Sequence, residues 1–222
     1  MSKLGGGPRT WCRALAVTVA FLGSARAARA QAWFYPSFQT PETVEREYNF
    51  AVAAYSGADF LFQWREGIAP GSQFSVDLGL ADPKGASNTR LVIGGNYARE
   101  LTRSTVDQPI DLAATAGIGI AAGDGPGLVR IPVGVSAGHT FPLEGGMAIT
   151  PYVHPRVSLD TWTGSREGRR NYLSLDFDLG ASLAITPEMA LRASVTFSGN
   201  DATSGTGVGI SLAIIPPGLR RR

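Results

Sequence analysis

Residues 173–185 read Leu-Ser-Leu-Asp-Phe-Asp-Leu-Gly-Ala-Ser-Leu-Ala-Ile. Every odd position is apolar, while the even positions carry Ser, Asp, Asp, Gly, Ser and Ala. Alternation with period two belongs to a β-strand with one greasy and one polar face. The same pattern recurs from about Arg46 to Ile215. It predicts ten strands, over 46–55, 58–67, 73–81, 89–101, 109–121, 127–140, 147–160, 171–185, 189–198 and 205–215. Compact turn sequences separate several of them, among them Ile68-Ala69-Pro70-Gly71, Pro142-Leu143-Glu144-Gly145-Gly146 and Thr186-Pro187-Glu188.

The apolar face carries Tyr48, Phe50 and Val52, then Phe60, Phe62 and Trp64, and later Leu175, Phe177 and Leu179. The opposite face carries Asn49, Gln63, Arg65, Asp77, Arg90, Asn96, Glu100, Asp111, Arg130, His154, Arg156, Asp160, Asp176, Asp178 and Arg192. In a soluble barrel or sandwich the polar set would be the wet surface. In a membrane barrel it points into the lumen. Period two defines the two faces and leaves open which of them is inside.

The first thirty residues predict an export signal rather than part of the fold. Lys3, Arg9 and Arg13 make a basic start, Ala14 to Leu22 a short apolar run, and Ala28-Arg29-Ala30 a small-x-small cleavage site before Gln31. The run is too short to span a bilayer as a helix. The single cysteine, Cys12, lies ahead of it, so the chain from Gln31 onward has no disulfide or cysteine-based metal chemistry. Five basic residues and no acidic ones precede Gln31; with 20 Lys+Arg and 18 Asp+Glu overall, the remainder carries 15 − 18 = −3. Nothing in that charge suggests a nucleic-acid binder. The expected organisation is a signal at 1–30, an extended periplasmic lead at 31–45, a barrel at 46–215 and a basic tail at 216–222. The lead's aromatics, Trp33, Phe34, Tyr35 and Phe38, would lie at a membrane surface or plug the lumen.

Three features favour a membrane barrel. Compact turns alternate with longer polar loops at Asp82 to Asn88, Thr163 to Arg170 and Gly199 to Ser204, as periplasmic turns alternate with outer loops. The connection at Thr102 to Gln108 is longer than that rule wants. Aromatics fall near strand ends: Tyr48, Trp64, Phe74 and Phe141 toward one interface, Phe60, Trp162, Tyr172 and Phe197 toward the other. An even strand count places both termini on the periplasmic side.

Signal, dyad repeat and alternating turns together resemble the small Gram-negative outer-membrane β-barrels of the OmpA/OmpX-like class. That resemblance implies an antiparallel up-and-down transmembrane β-barrel, here of ten strands with eight as the fallback, in the outer membrane. It implies outer-membrane lipids and the outer-membrane assembly machinery as partners. The chain departs from the class at its end, where Ala213-Ile214-Ile215 and a Pro216-Pro217 tail replace a terminal aromatic. It departs again at Pro132, Pro151 and Pro155, which sit inside predicted strands although proline cannot donate to a ladder. Bulges are the expected accommodation, with a later start of the seventh strand or an imperfectly zipped barrel as the alternatives. Pro151 and Pro155 share a parity, so both lack donors toward the same neighbouring strand.

The densest inward polar set is Arg130, His154, Arg156, Asp160, Asp176, Asp178 and Arg192, with the aspartates facing the three arginines. It reads as a salt-bridged plug or as a site for a charged solute, and a small barrel with little internal room favours the plug. A hydrolase would need a nucleophile beside His139 or His154, with Ser136 and Ser158 as the inward candidates; no GxSxG motif is present. Gly117-Ile118-Gly119 and Gly123 to Gly127 lack a following helix and read as strand and turn, not as a phosphate loop. Asn200 and Asp201 do not make a calcium loop. Arg166, Arg169 and Arg170 form a basic outer loop able to pair with lipopolysaccharide phosphates or simply to be solvated. The chain is read as non-enzymatic and free of cofactors and metals. The alternatives are a narrow porin or small-solute transporter, an outer-membrane lipid-modifying enzyme, and a soluble secreted ligand-binding barrel.

Overall fold

The computed structural model describes residues 36–55, 57–83, 89–123, 126–165, 168–199 and 204–217. The predicted signal, Trp33 to Tyr35, Arg166, the Asn200–Asp201 pair and the arginines of the C-terminal tail lie outside these residues. Ten long strands follow the alternating stretches: β1 (Arg46–Ala54), β2 (Gly57–Ala69), β3 (Ser72–Pro83), β4 (Arg90–Thr102), β5 (Asp111–Ala122), β6 (Gly127–Gly138), β8 (Ala148–Ser165), β9 (Gly168–Thr186), β10 (Met189–Gly199) and β11 (Ser204–Ile214). A two-residue β7 (Phe141–Pro142) adds a short pairing to β8 in the connection between β6 and β8.

All pairings are antiparallel, and each long strand pairs with its neighbours in sequence. β1 pairs with β11 from Tyr48↔Ile214 to Ala54↔Val208, and β6 pairs with β8, so the sheet closes on itself. The result is a ten-stranded up-and-down barrel without a free edge, not the eight-stranded fallback.

Period two becomes the two faces of the wall, and the polar face is the inner one. Glu47, Asn49, Asp160 and Asp178 are fully buried, while Leu175 and Ile210 on the outer face are 65% and 67% exposed. A water-soluble barrel buries its apolar face; this one has the opposite sense.

Three strand-level details differ from expectation. The described parts of Thr163 to Arg170 are strand rather than loop: β8 and β9 stay paired out to Ser165↔Gly168 after one register shift beyond Trp162. Polar cross-strand pairs such as Thr161↔Asn171, joined by a hydroxyl-to-carbonyl hydrogen bond of 2.9 Å, let it continue. Trp162 and Tyr172 do not belong to an outer aromatic girdle. They share the lumenal parity of Asp160 and Ser174, and both are half-buried. Phe60 and Phe197 do face outward at that end, as do Trp64, Phe74 and Phe141 at the other.

The prolines are accommodated without bulges. Between β6 and β8 the register is the same on both sides of Val135–Pro155, and between β5 and β6 it is the same on both sides of Gly117–Pro132. In each place the ladder simply lacks the pairs that the proline cannot make. Pro155 still pairs with Phe177 of β9, and Pro151 with Ala181. Both missing donors thus face β6, and the wall is imperfectly zipped along that seam.

Candidate functional site

The lumen holds three charge clusters at successive levels. Nearest the chain termini, the buried Glu47 carboxylate accepts from Arg192 twice at 2.6 Å and from Arg65 at 2.8 Å. Glu47 shares the inward parity of Asn49 and is the functional-set residue that the sequence reading missed; that parity was its signal. Toward the other end, Arg130 donates to Asp176 and lies 3.2 Å from Asp160. Ser158 donates to Asp176 at 2.8 Å and Ser174 to Asp160 at 2.5 Å, while Ser198 also donates to Asp176. Between these two clusters, Arg156 donates to Asp178 at 2.7 Å, with His154 beside them.

The structure therefore turns all seven anticipated residues inward but divides them. Arg130, Asp160 and Asp176 form one group, and His154, Arg156 and Asp178 a second. Arg192 is not opposite the β9 aspartates; its partner is Glu47. Register explains the division, since Arg192 pairs with Ser182 of β9, four residues beyond Asp178. Buried charges need such partners because an unpaired ion in a water-poor interior is costly.

The extended lead is part of this interior. Val44 and Phe38 are buried, and residues 37–43 run inside the barrel rather than outside it in the periplasm. The Ser37 amide and hydroxyl both donate to Asp178, at 3.0 and 2.7 Å. The Phe38 carbonyl accepts from Arg65 at 3.0 Å, and the Gln39 carbonyl from Ser136 at 2.8 Å. Gln73 donates to the Gln39 side chain at 3.1 Å and accepts from the Val44 amide at 3.0 Å. The Thr43 amide and hydroxyl donate to Glu100 at 2.8 and 2.6 Å. Of the two alternatives for the lead aromatics, Phe38 takes the lumen. Its ring abuts Gly209, where an added Cβ would stand 2.7 Å from it, and it joins an apolar cluster with Ala51, Ala53, Leu61 and Leu128. Phe38 has φ +52°, a conformation that costs a non-glycine residue on the order of 1–3 kcal/mol.

His154 sits where lead and wall meet. Ser37 Oγ commits its proton to Asp178, so Nδ1 of His154, 2.7 Å away, is the donor between them. Nε2 then accepts from Thr115, at 2.8 Å. Gly134 makes this packing feasible: a Cβ there would meet the Pro155 carbonyl at 2.6 Å and His154 Nε2 at 3.1 Å. Ser136 and Ser158, the anticipated nucleophile candidates, bond to the lead and to Asp176 instead of to a histidine. His139 lies edge-on against Phe141, with ring centroids 4.6 Å apart. The cavity between lead and wall, bordered by Ser37, Gln63, Asp77, Thr115 and His154, measures about 40 Å³. That volume holds a water molecule or two and no organic solute.

Among the described residues no group of His, Cys, Asp and Glu is arranged to hold a metal ion. Arg169 and Arg170 are exposed at the far end of the β8–β9 hairpin.

No protein-family model matches the chain, and neither does any curated protein. Among solved structures, the chain is similar to the N-terminal β-barrel domain of Pseudomonas aeruginosa OprF, with 8% identity and TM-score 0.36 over 76% of this chain and 95% of that one. It is also similar to the KdgM porin, alone (TM-score 0.37) and in complex with disordered oligogalacturonate (TM-score 0.39), each at 8% identity over 76% of this chain and 98% of that one. These likenesses concern the fold alone; the closed ten-strand barrel stands on its own pairing register.

Proposed function

We propose that this chain is an integral outer-membrane barrel with a closed, polar lumen and a non-enzymatic role in envelope structure or surface interaction. The observation that carries the reading is the inverted burial. Charged residues fill the interior, and a band of Leu, Ile, Val and Phe surrounds the wall. Monomeric soluble proteins rarely expose continuous apolar surface of that extent, whereas hydrocarbon lipid tails solvate it. Closure without an edge also satisfies the wall's backbone groups apart from the proline gaps, as a bilayer demands.

The filled lumen supports a structural role over an open porin, because a porin needs a continuous aqueous path. It also speaks against a lipid-modifying enzyme, since the Thr115–His154 pair faces a cavity far too small for a lipid. Arg169 and Arg170 offer lipopolysaccharide phosphates a charge-paired contact at the outer rim. Alkaline carbonate extraction of the envelope tests the proposal. The protein should stay in the pellet and migrate anomalously fast on gels unless boiled; release into the wash would refute membrane integration.

A further inference from the structure

The lead lies in a site built for an extended chain segment, and three features of it point to a tethered plug. First, the lead is not part of the wall. All ten strands close without residues 37–43, whose partners in the barrel are chiefly side chains: Arg65, Gln73, Glu100, Ser136 and Asp178. Pro36 and Pro41 deprive it of donors and prevent it from pairing as an eleventh barrel strand. Second, the wall beside it has been reduced to make room. Ala51, Ala53 and Gly209 surround Phe38, and bulkier side chains there would fill the bore by themselves. Eight strands leave an interior that side chains alone can fill, and ten leave more; here the surplus is taken by the lead. Third, apart from the apolar contacts of Phe38 the groups that hold it are polar and would be satisfied by water on its departure, while Phe38 would exchange its contacts with Ala51, Ala53 and Leu61 for relief of its left-handed backbone.

We infer that residues 37–43 are a displaceable plug, and that their withdrawal opens a water-filled passage for small hydrophilic ions, with the Arg130–Asp160–Asp176 cluster left as a charged constriction beyond it. The inference rests on the membrane-barrel reading above. Glu100 and Gln73 hold the lead near the end of the barrel where the termini lie, and Asp178 with His154 holds it at mid-barrel. Among the described residues Ser37 is the innermost polar latch: its amide and hydroxyl both serve Asp178, and its oxygen also accepts from His154. A charge that repels Asp178 at this position would release the lead from within.

The test is planar-bilayer conductance of three proteins: the full chain from Gln31, the same chain lacking residues 31–43, and the point variant Ser37→Asp. Carbonate-resistant pelleting and heat-modifiable mobility verify each barrel independently, so failure of the membrane reading is distinguishable from failure of the plug. The full chain should be closed. The deletion should conduct steadily, and a synthetic peptide of residues 31–44 added on the side of the termini should close it again. Ser37→Asp should conduct in bursts, with a mean open time above that of the full chain. A folded deletion that stays as closed as the full chain would overturn the inference. So would failure of both altered proteins to fold, because the lead would then be a fixed part of the barrel.

Discussion

Replacing Glu47 by Gln removes one charge and almost no volume from a lumenal carboxylate held by two arginines. Glu47 is fully buried and takes three hydrogen bonds from two guanidinium groups, at 2.6, 2.6 and 2.8 Å. Charge-assisted hydrogen bonds contribute about 1.5–3 kcal/mol each, so simple addition would set a ceiling of about 4.5–9 kcal/mol. The real loss is smaller. A glutamine oxygen still accepts one bond, and Arg65 keeps the Phe38 carbonyl and Gln63 as partners. Arg192 fares worse, because its two contacts to the carboxylate are replaced by at most one, and the amide nitrogen of the new side chain would face a second donor. Breaking one side of a buried ion pair typically costs about 3–5 kcal/mol, and the low end, about 3 kcal/mol, is expected here. Urea titration of barrels refolded into lipid vesicles, followed by tryptophan fluorescence and gel mobility, gives this number. A loss under about 1 kcal/mol, the scale of a solvated surface pair, would refute the claim that this cluster is a desolvated element of the lumen.

Three further perturbations probe the wall. Arginine at Leu175 or Leu179 should weaken folding into a bilayer by about 2–4 kcal/mol if these residues face mid-membrane, read in the same vesicle titration. Gly134→Ala places a methyl against the Pro155 carbonyl and the His154 ring and should cost about 1–3 kcal/mol by overpacking, with loss of heat-modifiable compactness at lower urea. Asp178→Asn removes the charge shared by Ser37 and Arg156. It should raise proteolytic nicking of the lead in the refolded protein while the barrel fragment stays protected, and an unchanged nicking rate would count against Asp178 as the lead's anchor.

The strands were legible because one face of each had to be apolar, a constraint that leaves a mark at every second residue. Glu47 followed the same parity as Asn49, two residues further on, and was readable from it. Pairing between distant strands was not legible. Arg192 looked equivalent to Arg130 and Arg156, yet the closure of β1 onto β11 carries it to Glu47, 145 residues away in sequence. The prolines showed where the ladder would fail, and the shared parity of Pro151 and Pro155 showed that both would fail toward one neighbour; which neighbour, and that the register would run on unchanged, had no local signal. Residues 36–45 have no period and carry two prolines, so sequence could describe them as extended and no more. Their place in the lumen is set by complementary side chains on six different strands.

The stretch from Leu173 to Leu179 offers the most direct test of the inside-out barrel. The chain from Gln31 has no cysteine, so single cysteines at successive positions there can carry nitroxide labels in reconstituted bilayers. Collision with oxygen, which concentrates in the hydrocarbon, should be high at 173, 175, 177 and 179 and low at 174, 176 and 178, with a water-soluble nickel reagent excluded from the odd positions. Odd positions open to the nickel reagent, or a profile without period two, would contradict the account.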